Sequence, residues 1–214
     1  MSGETALIVG AGGVLGEALQ AEFHEAGYQV LGLRRGDCDL QDAASVTRTV
    51  AAITAERKVG VLVCNAAKLT IAPFLELGAT DLESCWRASV LSAAGAARAV
   101  VPGMLHARAG TILFTGATAS LRGSAQFAAF AVAKAGLRAL AQSLAREYQA
   151  QGIHVAHVVL DGVLRGSASA ARLQLGDDRC LDPHAVARTY RHLAEQPRSA
   201  WTHELELRPA SERF

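Results

Sequence analysis

The chain has 214 residues, enough for one α/β domain and short for two. Half of it is hydrophobic, only 5% is aromatic, and the formal net charge is +1, which excludes an electrostatic case for nucleic acid or an anionic membrane surface. No apolar run reaches the ~18 residues of a membrane span, and no basic leader precedes the first apolar run, so a cytoplasmic protein is expected.

The first strand and turn are written in Ala6-Leu7-Ile8-Val9 and the stretch Gly10-Ala11-Gly12-Gly13-Val14-Leu15-Gly16. An apolar run, then clustered glycines, then helical spacing predicts a buried strand, a tight turn and a helix N-terminus. Glycine permits positive φ and lets a phosphate approach without a Cβ in the way. The helix N-terminus offers free N–H groups to a pyrophosphate. Leu15, Leu19 and Phe23 share one face of a helix that runs to about Ala26, with Gly27 ending it. Tyr28 to Leu33 reads as the second strand and closes on Arg34-Arg35. Arginine at that place suits the 2′-phosphate of NADP, where an acid would suit the free ribose of NAD; the alternative is a solvated strand end.

Only Gly36-Asp37-Cys38 separates Arg35 from Asp39-Leu40-Gln41-Asp42. A crossover between parallel strands needs roughly a dozen residues. Either the next strand is a stub, or a helix that would sit here is missing. Asp42 is placed to cap a helix with Val46, Val50 and Ile53 facing inward. Gly60 to Cys64 is a strand, followed at once by Asn65-Ala66-Ala67. Thr80-Asp81-Leu82-Glu83 has the form of a capping box, and the helix behind it runs to about Leu105 with Pro102 near its end. Thr111 to Phe114 is a strand, and the polar loop Thr115 to Gly123 leads to a second long helix over about 126–151, ended by Gly152. Ile153 to Leu160 is an apolar strand, Asp182-Pro183 opens a helix that Pro197 stops, and Trp201 to Leu207 is the last strand. Alternating strands and helices without repeat or linker predict one doubly wound parallel sheet of Rossmann type, shortened after the second strand, spanning residues 1–214. The four cysteines show no ligand spacing, and His154 and His157 lie on opposite faces of a strand, so no metal is expected.

The order of these pieces resembles the short-chain dehydrogenase/reductase family over almost the whole chain. Three features carry the resemblance: the glycine-rich first turn, Asn65-Ala66-Ala67 after the central strand, and Lys134 on a long helix after a polar loop. It implies a cofactor groove made by Gly10, Gly12, Gly13, Leu15, Gly16, Arg34, Arg35, Asp39, Leu40, Asn65, Ala66, Ala67 and Lys134, with Gly162 and Val163 near the nicotinamide. NADP(H) is favoured over NAD(H) by the arginines. In detail the motifs depart from the family. Val9 and Val14 replace a threonine and a glycine of the first turn, Ala67 replaces the glycine of an Asn-Ala-Gly motif, and Asp161 replaces the proline of a Pro-Gly turn.

The family's chemistry rests on an Asn-Ser-Tyr-Lys set. The resemblance puts Ser89, Ala117 and Phe130 at the first three positions and keeps only Lys134. Phe130 has no O–H and Ala117 no donor. Loss of a general acid costs ~10²–10⁴ in rate, and loss of an oxyanion donor ~10²–10³. Thr115, Thr118, Ser120 and Ser124 lie in the loop, and Ser120 is the candidate substitute, against the alternative that these hydroxyls cap turns. Lys134 is expected to hold the ribose hydroxyls or to act as an acid itself. The segment Leu164 to Leu181 is a short flap with Arg165 and Arg172, and it names no small-molecule substrate.

Three readings follow. The first is an NADP(H)-dependent oxidoreductase with an atypical site, for which enones and imines are the substrates least dependent on the tyrosine. The second is a non-redox enzyme on the same pocket. The third is a catalytically silent nucleotide-binding or regulatory protein. Small apolar residues such as Ala93, Ala97, Ala133 and Ala141 on the two long helices lead us to expect a homodimer or homotetramer, as in the family, against the alternative that these small faces simply pack on the sheet.

Overall fold

A computed structural model describes residues 4–211. Six parallel strands form one sheet in the order β2-β1-β3-β4-β5-β6. The strands are β1 (Thr5–Val9), β2 (Gln29–Leu33), β3 (Val59–Cys64), β4 (Gly110–Thr115), β5 (Ile153–Leu160) and β6 (Glu204–Leu207). Strands β1, β3 and β5 are buried along their whole length, as near-continuous apolar runs require when helices cover both faces.

Side-chain alternation sorts those runs into two cores. Leu7, Leu62, Ile112 and Phe114 face a layer made by α2 (Ala43–Glu56), α4 (Ser92–Ala107) and α5 (Ala128–Tyr148), which contributes Val46, Val50, Ala96 and Leu137. Ala6, Ile8, Val61 and Val63 face α1 (Gly13–Glu25) and α7 (Pro183–Ala194), which contribute Leu19, Phe23, Val186 and Tyr190. Phe23 is fully buried, a burial worth about 1.5–3 kcal/mol.

The expected shortening after the second strand takes a definite form. Residues 34–42 make two tight turns, with the Arg34 N–H on Asp37 Oδ2 at 2.7 Å and the Gln41 N–H on Asp39 Oδ1 at 2.9 Å. No strand stub forms at Asp39-Leu40. The helix α2 starts directly, capped by Asp42 Oδ1 on the Ala44 N–H at 2.9 Å, and carries the chain across β1 to β3. A doubly wound sheet of order 3-2-1-4-5-6 has a strand outside β2; here β2 is the edge.

Several boundaries differ from the expectation. The helix α3 (Ala79–Trp86) begins two residues earlier than the predicted box: Asp81 accepts the Gly78 N–H at 3.1 Å, and Thr80 lies inside the first turn. Gly78 leaves the backbone free to meet that carboxylate, so Asp81 rather than Glu83 closes the cap. From α3 the helix continues through a π-helical turn, Arg87–Leu91, into α4. The joined helix, 79–107, is long and apolar enough to cross a membrane by composition, yet Ala93, Ala96, Ala97 and Val100 on it are packed into the core. Helix α5 starts at Ala128, after Gln126 in left-handed backbone. Helix α7 ends at Ala194, before Pro197, which opens a separate short turn. All four cysteines are buried free thiols, and among the described residues no His, Cys, Asp and Glu cluster could hold a metal.

Helix α2 lies close on α4, and Gly95 makes room for it. A Cβ there would come within 2.8 Å of Thr47 Oγ1 and 2.9 Å of the Ala43 carbonyl oxygen. Thr47 is held in place by donating to that same carbonyl at 2.7 Å. Gly95→Val is expected to lower stability by about 1–3 kcal/mol, read as a lower urea midpoint; an unchanged midpoint would show that the two helices do not meet at this glycine.

Candidate active site

The site lies where the carboxyl ends of the strands diverge. Helices α1 and α2 leave β1 and β2 on opposite faces, and the crevice between β1 and β3 is the switch point at which open α/β sheets take ligands. Gly10 (φ +91°) and Gly13 (φ +80°) turn the chain in left-handed backbone. A Cβ on Gly10 would fall 2.4 Å from the Ala66 nitrogen, and one on Gly16 would fall 2.4 Å from the Ala11 carbonyl carbon. These two glycines are needed for close packing. Gly12 and Gly13 differ: an added Cβ meets nothing within 4 Å, because both face a cavity. Gly12 is the cap of α1 and leaves its first N–H groups without a side-chain partner.

That cavity, about 800 Å³, brings together Gly10, Gly12, Gly13, Arg34, Arg35, Asp39, Leu40, Asn65, Ala66 and Ala67. Asn65 fixes one wall, donating from Nδ2 to the Gly10 carbonyl at 2.8 Å and from its backbone N–H to the Val9 carbonyl at 2.8 Å. Lys68, which sequence reasoning missed, lines the same cavity and donates to Ser84 Oγ at 2.7 Å. A second cavity of about 520 Å³ adjoins the first across Asn65 and Ala67. It gathers Leu15, Gly162, Val163, Lys134, Ala117 and Phe130. Gly16 lines neither cavity. The flap 164–181 contains the short helix α6 (Ala168–Arg172) and contributes Ser167 and Ser169. It crosses the glycine turn so closely that a Cβ on Gly166 would be 3.5 Å from Val14 Cγ1. Arg165 anchors it to Asp182 at 2.8 Å.

Lys134 is 3% exposed and donates to the Thr115 carbonyl at 2.7 Å, with Nζ 5.6 Å from the centre of the Phe130 ring. Burial pulls its pKa down from 10.5 to about 8. Tyr190, itself fully buried, donates to Thr115 Oγ1 at 2.9 Å and so holds the residue whose carbonyl receives the lysine.

Ser120 does not reach the cavity. Its buried Oγ accepts the Ala117 N–H at 3.1 Å, so it closes the turn that carries Ala117, the capping alternative for this hydroxyl. Ser89 sits in the π-helical turn, buried, its Oγ without a hydrogen-bond partner. Tyr148 lies at the far end of α5, against the core under α2, α4 and α5. Two polar groupings were not foreseen. Thr118 donates to Asp161 Oδ1, and Asp161 Oδ2 accepts from Arg208 at 2.6 Å. Below Lys134, fully buried His157 meets Glu204 at 3.1 Å, and Glu204 is held by Arg138 through two bonds of 2.6 and 2.7 Å. Burial pushes His157 down to about 4, so the ring is neutral. An ionisable side chain closing an apolar strand was the available signal for Asp161; Arg208 is distant in sequence and gave none.

The model of the short chain dehydrogenase family matches residues 35–174. The chain belongs to that family. It is 31% identical, over 92% of its length and 80% of the relative's, to the inactive 2-(S)-hydroxypropyl-CoM dehydrogenase 2 of Xanthobacter autotrophicus. A short-chain dehydrogenase structure from Rhodopseudomonas palustris superposes with a TM-score of 0.84 at 33% identity, covering 96% of this chain and 98% of that one. A metagenomic short-chain oxidoreductase in complex with NADP shares the fold, with a TM-score of 0.85 at 21% identity over 98% of this chain and 99% of that one.

The buried lysine makes stability depend on pH. Between about 8 and 10.5 the unfolded chain keeps the Lys134 proton that the folded chain has lost, so stability rises with pH across that window. Relative to Lys134→Met, the wild-type protein is expected to gain on the order of 3 kcal/mol over the window, read from urea unfolding at successive pH values. Parallel curves for the two proteins would show that the amine is not desolvated.

Proposed function

We propose that the whole chain, residues 1–214, is one nucleotide-binding domain that works as an NADP(H)-dependent oxidoreductase, with a catalytic set reduced to Lys134. The observation that carries this reading is the open floor at Gly12 and Gly13 under an uncapped helix N-terminus, with Arg34 and Arg35 lining the same cavity. The space a Cβ would fill suits a pyrophosphate, and the N–H groups of α1 are the donors it needs. Asp39, Leu40 and Ala66 would border the adenine. Arg34 and Arg35 would receive a 2′-phosphate, since guanidinium groups recognise phosphate by paired hydrogen bonds. Lys134, Asn65, Ala67, Leu15, Gly162 and Val163 would border the nicotinamide end.

When bound, a nicotinamide nucleotide supplies or accepts a hydride. The protein's own part is to orient and to exclude water. Lys134 would hold the ribose hydroxyls next to the Thr115 carbonyl. Phe130 and Ala117, at the positions of the family's tyrosine and serine, would offer the substrate apolar contact in place of an acid and an oxyanion donor. The flap 164–181 would close over the glycine turn.

Calorimetric titration tests the nucleotide assignment. NADPH is expected to bind in the micromolar range and more tightly than NADH. Arg34→Ala or Arg35→Ala is expected to weaken NADPH about 10- to 100-fold, the value of one charged hydrogen bond, and to spare NADH. Equal weakening of both nucleotides would remove the arginines from the 2′-phosphate, and binding of neither would overturn the reading.

The outer faces of α3 and α5 support a dimer. Trp86 packs over Gly136, and Val132, one turn earlier on α5, is 54% exposed, while Phe74 and Leu75 in the preceding segment are 73% and 97% exposed. Light scattering is expected to give at least twice the 22.4 kDa of one chain, and Val132→Glu to lower it; a monomer mass for the wild-type protein would overturn the dimer.

A further inference from the structure

One end of the second cavity, at Ala117, Thr118 and Asp161, has a polarity opposite to the one a carbonyl substrate needs. Ala117 and Phe130 line it without any donor. Thr118 lines it too, but its single hydroxyl proton is given to Asp161 Oδ1, so only lone pairs remain to face a ligand. Asp161, 5% exposed, lines the same wall, its second oxygen held by Arg208 at 2.6 Å, a guanidinium that also serves Glu206. This end of the cavity therefore accepts hydrogen bonds and carries a carboxylate. A ketone oxygen, which gains negative charge as hydride arrives, is disfavoured beside it. A cationic N–H group is favoured, because it donates and carries the complementary charge. The remaining lining is apolar at Leu15, Phe127, Phe130 and Val163 and polar at Arg122, Ser124, Ser167 and Ser169.

We propose that the substrate is a protonated imine, or the amine derived from it, bound with its N–H on Thr118 Oγ1 and Asp161 behind that hydroxyl. This rests on the nicotinamide-nucleotide reading above. The step balances without a protein acid. A C–H bond forms at the imine carbon with the hydride's electron pair, and the C=N π pair moves onto nitrogen as a lone pair. The iminium is reduced to a neutral amine while the reduced nicotinamide nucleotide is oxidised. The proton on nitrogen was present from the start, so neither a tyrosine nor a serine hydroxyl is required, in keeping with Phe130 and Ala117. The cavity's own cations are exposed Arg122 and buried Lys134. The Lys134 ammonium is committed to the Thr115 carbonyl, and a cationic substrate nearby drives it further toward the neutral amine.

Two bicyclic probes of matched size test the proposal: tetrahydroisoquinoline, an ammonium ion at neutral pH, and tetralone, a neutral ketone. Calorimetry on the full chain, with and without NADPH, is expected to show the amine bound at least about tenfold more tightly than the ketone, the value of one charge-assisted hydrogen bond. Asp161→Asn and Thr118→Val should each abolish that preference by weakening amine binding about tenfold or more, and Thr118→Ser should keep it. NADPH should be consumed with dihydroisoquinoline and not with tetralone. Equal affinity for the two probes, or a preference that survives Asp161→Asn in protein with a wild-type circular dichroism spectrum, overturns the cation site. An amine preference in protein that binds neither NADPH nor NADH overturns the imine reduction and, with it, the nucleotide reading, while the probe data still locate the cation.

Discussion

Both cavities depend on the contact between the end of β1 and the end of β3. Asn65 reaches back with two hydrogen bonds, one from its side chain to the Gly10 carbonyl and one from its backbone to the Val9 carbonyl. The approach is so close that Gly10 has no room for a Cβ against Ala66. Without that contact the glycine turn has no fixed position relative to the third strand. Asn65 and Ala67 form the border shared by the two cavities, so one local constraint sets the width of the first and the entrance of the second. An asparagine serves this purpose because its amide supplies a donor where the turn leaves a carbonyl unused, and a buried carbonyl left without a partner is costly.

The loss of the outer strand changes less than its size suggests. Removing a strand and its crossover from the edge of a sheet leaves β1, β3, β4 and β5 with the same neighbours and the same two cores. What must be repaired is local. The chain now has only residues 34–42 to pass from β2 to α2, and it does so through turns closed by Asp37 and Asp39. Both carboxylates are spent on backbone N–H groups, which places Arg34 and Arg35 at the mouth of the first cavity. The shortening thus selects the loop residues there for turn closure as well as for any contact with a ligand. The edge that β2 now presents carries partly buried residues and stays short, which limits its use as a template for a further strand.

The architecture was legible because it is written in local signals. Apolar runs bounded by glycine, the Asp42 and Asp182 caps and the helical spacing of Leu15, Leu19 and Phe23 each act within a few residues. The first cavity was legible for the same reason: Gly10, Gly12, Gly13, Arg34, Arg35 and Asn65 to Ala67 follow the strand ends directly. The end of the second cavity at Thr118 and Asp161 was not. Ser120 and Thr118 are two residues apart in one polar loop, and sequence alone cannot say which hydroxyl turns inward to cap Ala117 and which faces the cavity. That choice is made by partners far along the chain, Asp161 and then Arg208. The capping box was misplaced by two residues because Gly78 has no side chain to announce a cap, while the chemistry is supplied entirely by Asp81.

The electrostatics of the second cavity follow from how its few charges are shared out. Lys134 is desolvated by burial on α5, and its proton is directed to the backbone carbonyl of Thr115, a residue whose side-chain hydroxyl accepts from Tyr190 on α7. Glu204 is taken up by Arg138 and the neutral ring of His157. The carboxylate that does reach the cavity, Asp161, approaches it from the β5 end, behind the hydroxyl of Thr118. Lys134 and Asp161 thus each have their own partner, the Thr115 carbonyl for the amine and Thr118 with Arg208 for the carboxylate. Beside that carboxylate, Phe130 and Ala117 offer only apolar contact, and Arg122, Ser124, Ser167 and Ser169 complete the polar part of the lining.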